Sequence, residues 1–220
     1  MKTAIIDCGT NTFNLLVCDV AQQHFLYKDK ISVRLAEGNE RENFFSPSTM
    51  ERALAALKQH KDKAMEEGCS EIYAVATAAF RNAENRAELT DRAEHELGIK
   101  INLIDGDTEA KLIHQGVALG LEFKEVPSLI MDIGGGSTEF ILLIDKKPVW
   151  QGSFPLGSSV MLQQFRPADP ILTEEIEAFE NHLDEVLAPL HEACQGRYPR
   201  VLIGSSGSFD TLAQMCVENF

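Results

Sequence analysis

The chain has 220 residues, of which 44% are apolar, and a formal net charge of −14 at pH 7. That length is enough for one large or two small domains, and the apolar fraction is ordinary for a globular protein. The negative charge argues against general nucleic-acid binding, because proteins of that class present a basic face. No apolar run is long enough to span a bilayer and no signal segment precedes the first strand, so we expect no membrane partner either.

The cysteines indicate a reducing compartment. They are odd in number, scattered and free of Cys-x-x-Cys spacing, so neither a disulfide framework nor a zinc site is expected. A cytoplasmic location follows as an expectation. The five residues are Cys8, Cys18, Cys69, Cys194 and Cys216.

The first half of the chain predicts a three-stranded meander followed by alternating helices and strands. Apolar runs predict the strands, and apolar residues at helical spacing predict the helices. Ser46 and Pro47 suit the N-cap and first position of a helix, and Gly68 and Gly98 suit helix ends. The predicted strands cover residues 2–7, 13–20, 23–34, 71–76 and 100–104, the helices 47–67, 83–97 and 107–119, and a polar loop 36–45.

The second half begins the same series again but ends earlier. A long helix is predicted from Thr173, with a bend near its end at Pro189. One strand and one helix of the first series have no counterpart, so we expect an exposed apolar sheet edge at residues 200–204 and either a longer polypeptide or a partner that covers it. The other predictions are strands over 128–133, 139–145, 147–154 and 200–204, and helices over 156–165 and 208–217.

These elements predict an α/β protein of two domains. The junction is placed within residues 118–127, so the domains cover residues 1–121 and 122–220. A loop over 166–170 lies inside the second domain.

A glycine-rich turn between two apolar strands is the most informative stretch of the chain. Its run from Gly134 to Thr138 contains three glycines and two hydroxyl side chains. Glycines leave backbone amides bare, and bare amides bind phosphate oxygens. Asp132 precedes the turn and Glu139 follows it, and two such carboxylates can hold a divalent cation beside the phosphates.

The same order of residues occurs near the start of the chain. Over residues 4–19 an apolar strand leads to Asp7, a glycine, a small polar turn and a second apolar strand. Asp7 corresponds to Asp132, and Gly9 corresponds to Gly134. An internal repeat of this kind indicates a duplicated domain, with two phosphate-binding hairpins across a cleft. The repeat favours a binding role over the alternative, in which the glycines serve only the turn.

Six stretches carry a resemblance to a known family, in that family's order: residues 4–13, 76–85, 104–113, 131–139, 154–158 and 203–208. Together they resemble the exopolyphosphatase and guanosine pentaphosphate phosphatase (Ppx/GppA) family of the actin, sugar kinase and heat-shock ATPase superfamily. The resemblance implies two duplicated ribonuclease H-like domains around a cleft, over 1–121 and 122–220, with the C-terminal strand and helix missing from the second.

The resemblance also implies the roles of individual residues. Glu109 is implied to be the general base that activates water. Asp132 and Glu139, with Asp7 nearby, are implied to bind Mg²⁺ or Mn²⁺. The implied phosphate-binding residues are Gly9, Thr10, Asn11, Thr12, Arg81, Gly134, Gly135, Gly136, Ser137, Thr138, Ser206, Gly207 and Ser208.

The implied activity is hydrolysis of a terminal phosphoanhydride in inorganic polyphosphate or guanosine pentaphosphate, and a homodimer is left open. This chain departs from the family pattern at Lys111, where arginine is frequent, and at 206–208, where Gly-Gly-Thr is usual. Two alternatives within the superfamily remain: an ATP-dependent small-molecule kinase and an actin-like nucleotide-binding or assembly protein. The net charge of −14 would repel a phosphate chain, so a cation and local basic residues must offset it.

Overall fold

The computed structural model describes residues 1–22, 24–37 and 43–219, without the side chains of 218 and 219. The first residue of the predicted third strand and the centre of the predicted loop 36–45 therefore lie outside the described residues. The chain forms two compact units, 1–105 and 106–220. The predicted helix over 107–119 belongs to the second unit, whereas the sequence grouped it with the first domain.

The first unit contains a five-stranded sheet in the order β3-β2-β1-β4-β5. The strands β1, β2 and β3 form an antiparallel meander, and β4 and β5 continue it in parallel. Its elements are β1 (Lys2–Cys8), β2 (Thr12–Asp19), β3 (His24–Ser32), α1 (Pro47–Glu66), β4 (Glu71–Ala76), α2 (Ala78–Asn82), α3 (Arg86–Leu97) and β5 (Ile101–Leu103).

Helix α1 begins where the sequence predicts. The Ser46 hydroxyl accepts a hydrogen bond from the Thr49 amide at 3.2 Å, and Pro47 is the first helical residue. Leu57 and its apolar neighbours on one face are buried in the core of the first sheet. Met65, in the last turn of the helix, is 61% exposed.

The predicted helix over 83–97 begins three residues later than expected, and the short helix α2 was not predicted. Asn85 forms two hydrogen bonds with the backbone of Phe45, both at 2.9 Å. These bonds join residues forty positions apart, and they involve Asn85, the residue directly before α3. Helix propensity depends on neighbouring residues, so it does not predict these bonds.

The second unit contains a four-stranded sheet in the order β8-β7-β6-β9. Helix α4 packs against β7 and β8. The long helix predicted from Thr173 is two helices in the structure. Pro189 lies in the first turn of the second, α7 (Ala188–Cys194), where an N–H makes no hydrogen bond within the helix, so proline is tolerated there. The elements are α4 (Gly106–Gly120), β6 (Ser128–Ile133), β7 (Thr138–Ile144), β8 (Lys147–Phe154), α5 (Ser158–Phe165), α6 (Thr173–Val186), α7 (Ala188–Cys194), β9 (Val201–Ser205) and α8 (Ser206–Asn219).

The two sheets repeat one arrangement, an antiparallel meander whose first strand also pairs in parallel with a fourth. This is the ribonuclease H-like α/β fold, duplicated as the sequence predicts. Within the described residues the second sheet has no counterpart of β5, which confirms the expected four strands. Strand β9 is an edge strand, and its Leu202 is 58% exposed. Of the helices that the structure describes, none could cross a membrane.

Candidate active site in the second unit

The glycine turn joins β6 to β7 and is closed by a hydrogen bond of 3.0 Å from the Gly134 amide to the Ser137 carbonyl. In the described part of the chain, the amides of Gly135 and Gly136 donate to no protein acceptor. Two neighbouring amides without a protein acceptor suit an anion. Asp132 and Glu139 are register partners at the ends of the strands, so both carboxylates flank the turn.

The carbonyl side of this turn is bound by the protein itself. The Gly134 carbonyl accepts from the Ser158 amide at 2.9 Å, and the Gly135 carbonyl accepts from the Ser159 amide at 3.0 Å. The Thr138 hydroxyl is buried and donates to the Leu156 carbonyl at 2.9 Å, so it already has a structural partner.

The corresponding turn of the first unit is built in a similar way. The Gly9 amide donates to the Thr12 carbonyl at 3.2 Å. The carbonyls of Thr10 and Asn11 accept hydrogen bonds from residues 33–35, which follow β3. In both units the segment after the third strand binds the carbonyl side of the turn.

Glu139 is the most deeply buried carboxylate at the site, with 1% of its surface exposed. Burial, followed by the negative charge of Glu109, raises the pKa of Glu139 to about 7. The hydroxyls of Ser153 and Ser137 oppose that rise, and Ser153 Oγ donates to Glu139 Oε1 at 2.7 Å. Burial also raises the pKa of Asp132, against the effect of the neighbouring Ser205 and Ser206 hydroxyls.

Helix α4 approaches this carboxylate through a glycine. A Cβ atom at Gly106 would lie 2.5 Å from the Cβ of Ser153, so only glycine permits this contact. Gln151 Nε2 donates to the Asp107 carbonyl at 3.1 Å and fixes the same end of the helix to β8. Glu109 lies in the first turn of α4, close enough for its charge to act on Glu139.

Ser153, Gly106 and Gln151 were not predicted from the sequence. Ser153 is the register partner of Glu139 on β8. The sequence predicted β7 and β8 as consecutive strands, but the residue opposite Glu139 depends on the register of their pairing. A register shift between Leu142 and Leu143 interrupts the count from the hairpin turn.

The first residues of α8, which follow β9 directly, fix the end of β6. Both Ser206 and Ser208 hydroxyls donate to the Ile133 carbonyl at 2.9 Å. Ser206 has a φ of +71°, in the left-handed region that favours glycine. The hydroxyls of this predicted phosphate-binding loop therefore have protein partners.

The remaining predicted site residues lie in the first unit. Asp7, at the end of β1, accepts a hydrogen bond from Asn14 Nδ2 at 3.1 Å. Arg81, on α2, is half-buried and donates from Nη1 to the Ile104 carbonyl at 3.1 Å. That bond sets the direction of the guanidinium within its own unit.

A cavity of about 470 Å³ in the second unit has a different character. Its walls are almost entirely apolar and include Met131, Phe140, Met161 and Phe179. The one charged residue in this lining is Glu175, which would repel a phosphate chain, so this cavity is not the candidate active site.

The carboxylates are chemically suited to a divalent cation. Hard oxygen ligands suit Mg²⁺, which usually binds through one or two carboxylates and completes its shell with water and phosphate oxygens. No group of three or more His, Cys, Asp or Glu side chains able to hold a metal was found among the residues that the structure describes. Asp132 and Glu139 would supply two oxygen ligands, and the rest of a cation's shell would have to come from other groups.

Comparison with protein families identifies the chain. The model of the Ppx/GppA phosphatase family matches residues 16–219. The chain belongs to this family. That match includes the glycine turn of the second unit, both flanking carboxylates and Glu109, and it confirms the resemblance predicted from the six motifs.

Similar proteins of known sequence or structure align along nearly the whole chain. Exopolyphosphatase 1 of Mycobacterium tuberculosis (strain ATCC 25618 / H37Rv) is 27% identical over 219 residues, which is 98% of this chain. The alignment spans only 64% of that relative's length. A crystal structure of an exopolyphosphatase from Cytophaga hutchinsonii is 38% identical, with a TM-score of 0.94 over 99% of this chain and 70% of that one. The Aquifex aeolicus PPX-GPPA enzyme is 25% identical, with a TM-score of 0.77 over 99% and 72%.

Proposed function

We propose that the protein is a phosphoanhydride hydrolase that releases terminal phosphate from inorganic polyphosphate, and from guanosine pentaphosphate by the same chemistry. The observation that carries the proposal is the buried Glu139, which neighbours Glu109 beside a glycine turn with unpaired amides. The similarity to exopolyphosphatases supports polyphosphate as the substrate class.

In this proposal the backbone amides of Gly135 and Gly136 bind oxygens of the terminal phosphate. Arg81 and residues 9–12 keep the phosphate-binding role that the family resemblance implies, since a guanidinium fork matches phosphate oxygens. Fixed donors of this kind stabilise the charge that develops in the transition state.

Glu109 is the proposed general base. It accepts a proton from a water molecule whose oxygen attacks the terminal phosphorus. The bond from that phosphorus to the bridging oxygen breaks, and the bridging oxygen leaves with its electron pair on the shortened chain. A carboxylate is suited to this step because it can orient the water and accept its proton.

Asp132 and Glu139 would hold Mg²⁺ or Mn²⁺, which supplies positive charge to the phosphate oxygens when bound. This role explains the cost of burying Glu139 next to another carboxylate. A carboxylate whose charge is unfavourable in the free protein gains most from a cation.

The test is phosphate release from polyphosphate, guanosine pentaphosphate and ATP, measured in parallel with magnesium. We expect release from polyphosphate in the absence of any acceptor molecule. Phosphate transfer that requires ATP and a small-molecule acceptor would favour the kinase alternative. Slow ATP hydrolysis that accelerates with assembly would favour the actin-like alternative.

A further inference from the structure

The glycine turn of the second unit owes its position to the first turn of helix α5. Three successive amides of this helix, those of residues 158–160, donate to the carbonyls of Gly134 and Gly135 at 2.9 to 3.3 Å. The first amides of a helix have no partner inside the helix, and anions commonly bind there. In this protein those amides bind the turn itself.

Gly157 makes this arrangement sterically feasible. A Cβ atom at Gly157 would lie 2.4 Å from backbone atoms of both Gly135 and Gly136. The backbone of Gly157 has φ −69° and ψ 146°, a conformation that any residue adopts. Glycine is therefore required for space and not for backbone freedom. Ordinary contact begins at 3.4 Å, so a methyl group would separate the two segments by about 1 Å.

The bonds to α5 determine where the unpaired amides point. With the carbonyls of Gly134 and Gly135 bound on the α5 side, the peptide planes of the turn have a fixed orientation. The amides of Gly135 and Gly136 are then fixed as well. The turn of the first unit is fixed in the same way, because the amides of residues 33–35 donate to the carbonyls of Thr10 and Asn11.

We propose that Gly157 is a positioning residue, which lets α5 close on the turn and so directs the Gly135 and Gly136 amides toward the phosphate. This inference rests on the proposed function, because it assumes that the turn binds phosphate. A displacement of about 1 Å at a binding site can reduce turnover on the order of a hundredfold.

The first test replaces Gly157 with alanine and measures tripolyphosphate binding by calorimetry. We expect the dissociation constant to rise at least about tenfold. The loss in the free energy of unfolding should be smaller than the loss in the free energy of binding. Amide resonances of Gly135 and Gly136 should shift in the nuclear magnetic resonance spectrum. The control is Gly116→Ala in α4, where an added Cβ meets nothing within 4 Å and binding should not change.

A matched pair at Ser158 tests the contact between α5 and the Gly134 carbonyl, and it remains informative if Gly157→Ala does not fold. Proline suits the first helical position, and Gly157 before it already has the extended conformation that a proline requires. Ser158→Pro therefore keeps the helix, removes the amide donor to Gly134 and places a ring carbon against the Gly134 carbonyl. Ser158→Ala removes only the hydroxyl, whose own hydrogen bond to that carbonyl is longer, at 3.4 Å. We expect weaker tripolyphosphate binding in Ser158→Pro and near-normal binding in Ser158→Ala.

The outcomes separate the two proposals. Phosphate release by the unmodified protein tests the function, and the ratio of dissociation constants tests the positioning role. If the protein binds tripolyphosphate but does not hydrolyse it, the proposed function is refuted. The positioning role can then still be tested by comparing the dissociation constants of parent and variants. Normal affinity in folded Gly157→Ala with unchanged turn resonances would overturn the positioning role, as would equal binding by the two Ser158 variants.

Discussion

Replacing Glu139 with glutamine should stabilise the metal-free protein, and the gain should grow with pH. Glu139 is almost fully buried, and Ser153 Oγ can donate to glutamine as it does to the carboxylate. Glutamine resembles the protonated form of the side chain, so the substitution removes the cost of a buried charge and retains the shape. The substitution is thus expected to raise the stability of the protein although Glu139 belongs to the proposed site, as is common where function requires an unfavourable charge.

The magnitude follows from the pKa of Glu139, about 7 in the folded protein against an ordinary value of 4.5. Below 4.5 the carboxyl is protonated in both states, and no penalty exists. Between 4.5 and 7 the unfolded chain loses its proton while the folded protein keeps it, so folding becomes less favourable as pH rises. At roughly 1.4 kcal/mol per pH unit, the penalty is about 1 kcal/mol at pH 5 and about 3 kcal/mol at pH 8.

The assay is urea unfolding of both proteins in a chelator at pH 5 and pH 8, with the free energy of unfolding taken from the linear dependence on urea. The control is Glu88→Gln, at an exposed position of α3, which makes the same substitution outside the protein core. A Glu139→Gln variant that is less stable than the parent at pH 8, or equally affected at both pH values, would refute the reasoning. With excess Mg²⁺ the parent should recover stability and the variant should not, if Glu139 binds the cation.

Three further predictions concern activity. Glu109→Gln should fold and bind polyphosphate but lose at least about a hundredfold in turnover, whereas the control Glu88→Gln should keep its turnover. Near-normal turnover in purified Glu109→Gln would exclude Glu109 as the general base. Activity should require magnesium or manganese, and Glu139→Ala should raise the metal concentration needed for half-maximal rate; full activity in excess chelator would exclude a metal role. Short phosphate chains should be preferred over very long ones because the net charge of −14 repels each added phosphate, and a catalytic efficiency that keeps rising with chain length would contradict this.

Local patterns in the sequence determined most of the fold. Ser46 and Pro47 begin α1, and Gly98 ends α3 in the left-handed conformation, because caps depend only on neighbouring residues. The repeat of Asp7 and Gly9 at Asp132 and Gly134 indicated two sheets of the same order. The missing counterpart of β5 followed from counting strands. The turn and its flanking carboxylates were visible in the sequence for the same reason, since they lie within eight consecutive positions.

The contacts that support those groups depend on the tertiary structure. Ser153 donates to Glu139, Gly106 admits helix α4 to the same strand, and Gly157 admits α5 to the turn. Each contact joins segments between fourteen and forty-seven positions apart, and its partner depends on strand register and helix placement. Composition and periodicity specify which face of an element is buried but not which residue lies opposite. The candidate catalytic groups were therefore visible in the sequence, whereas packing against distant residues determined their positions and the burial that raises the pKa of Glu139.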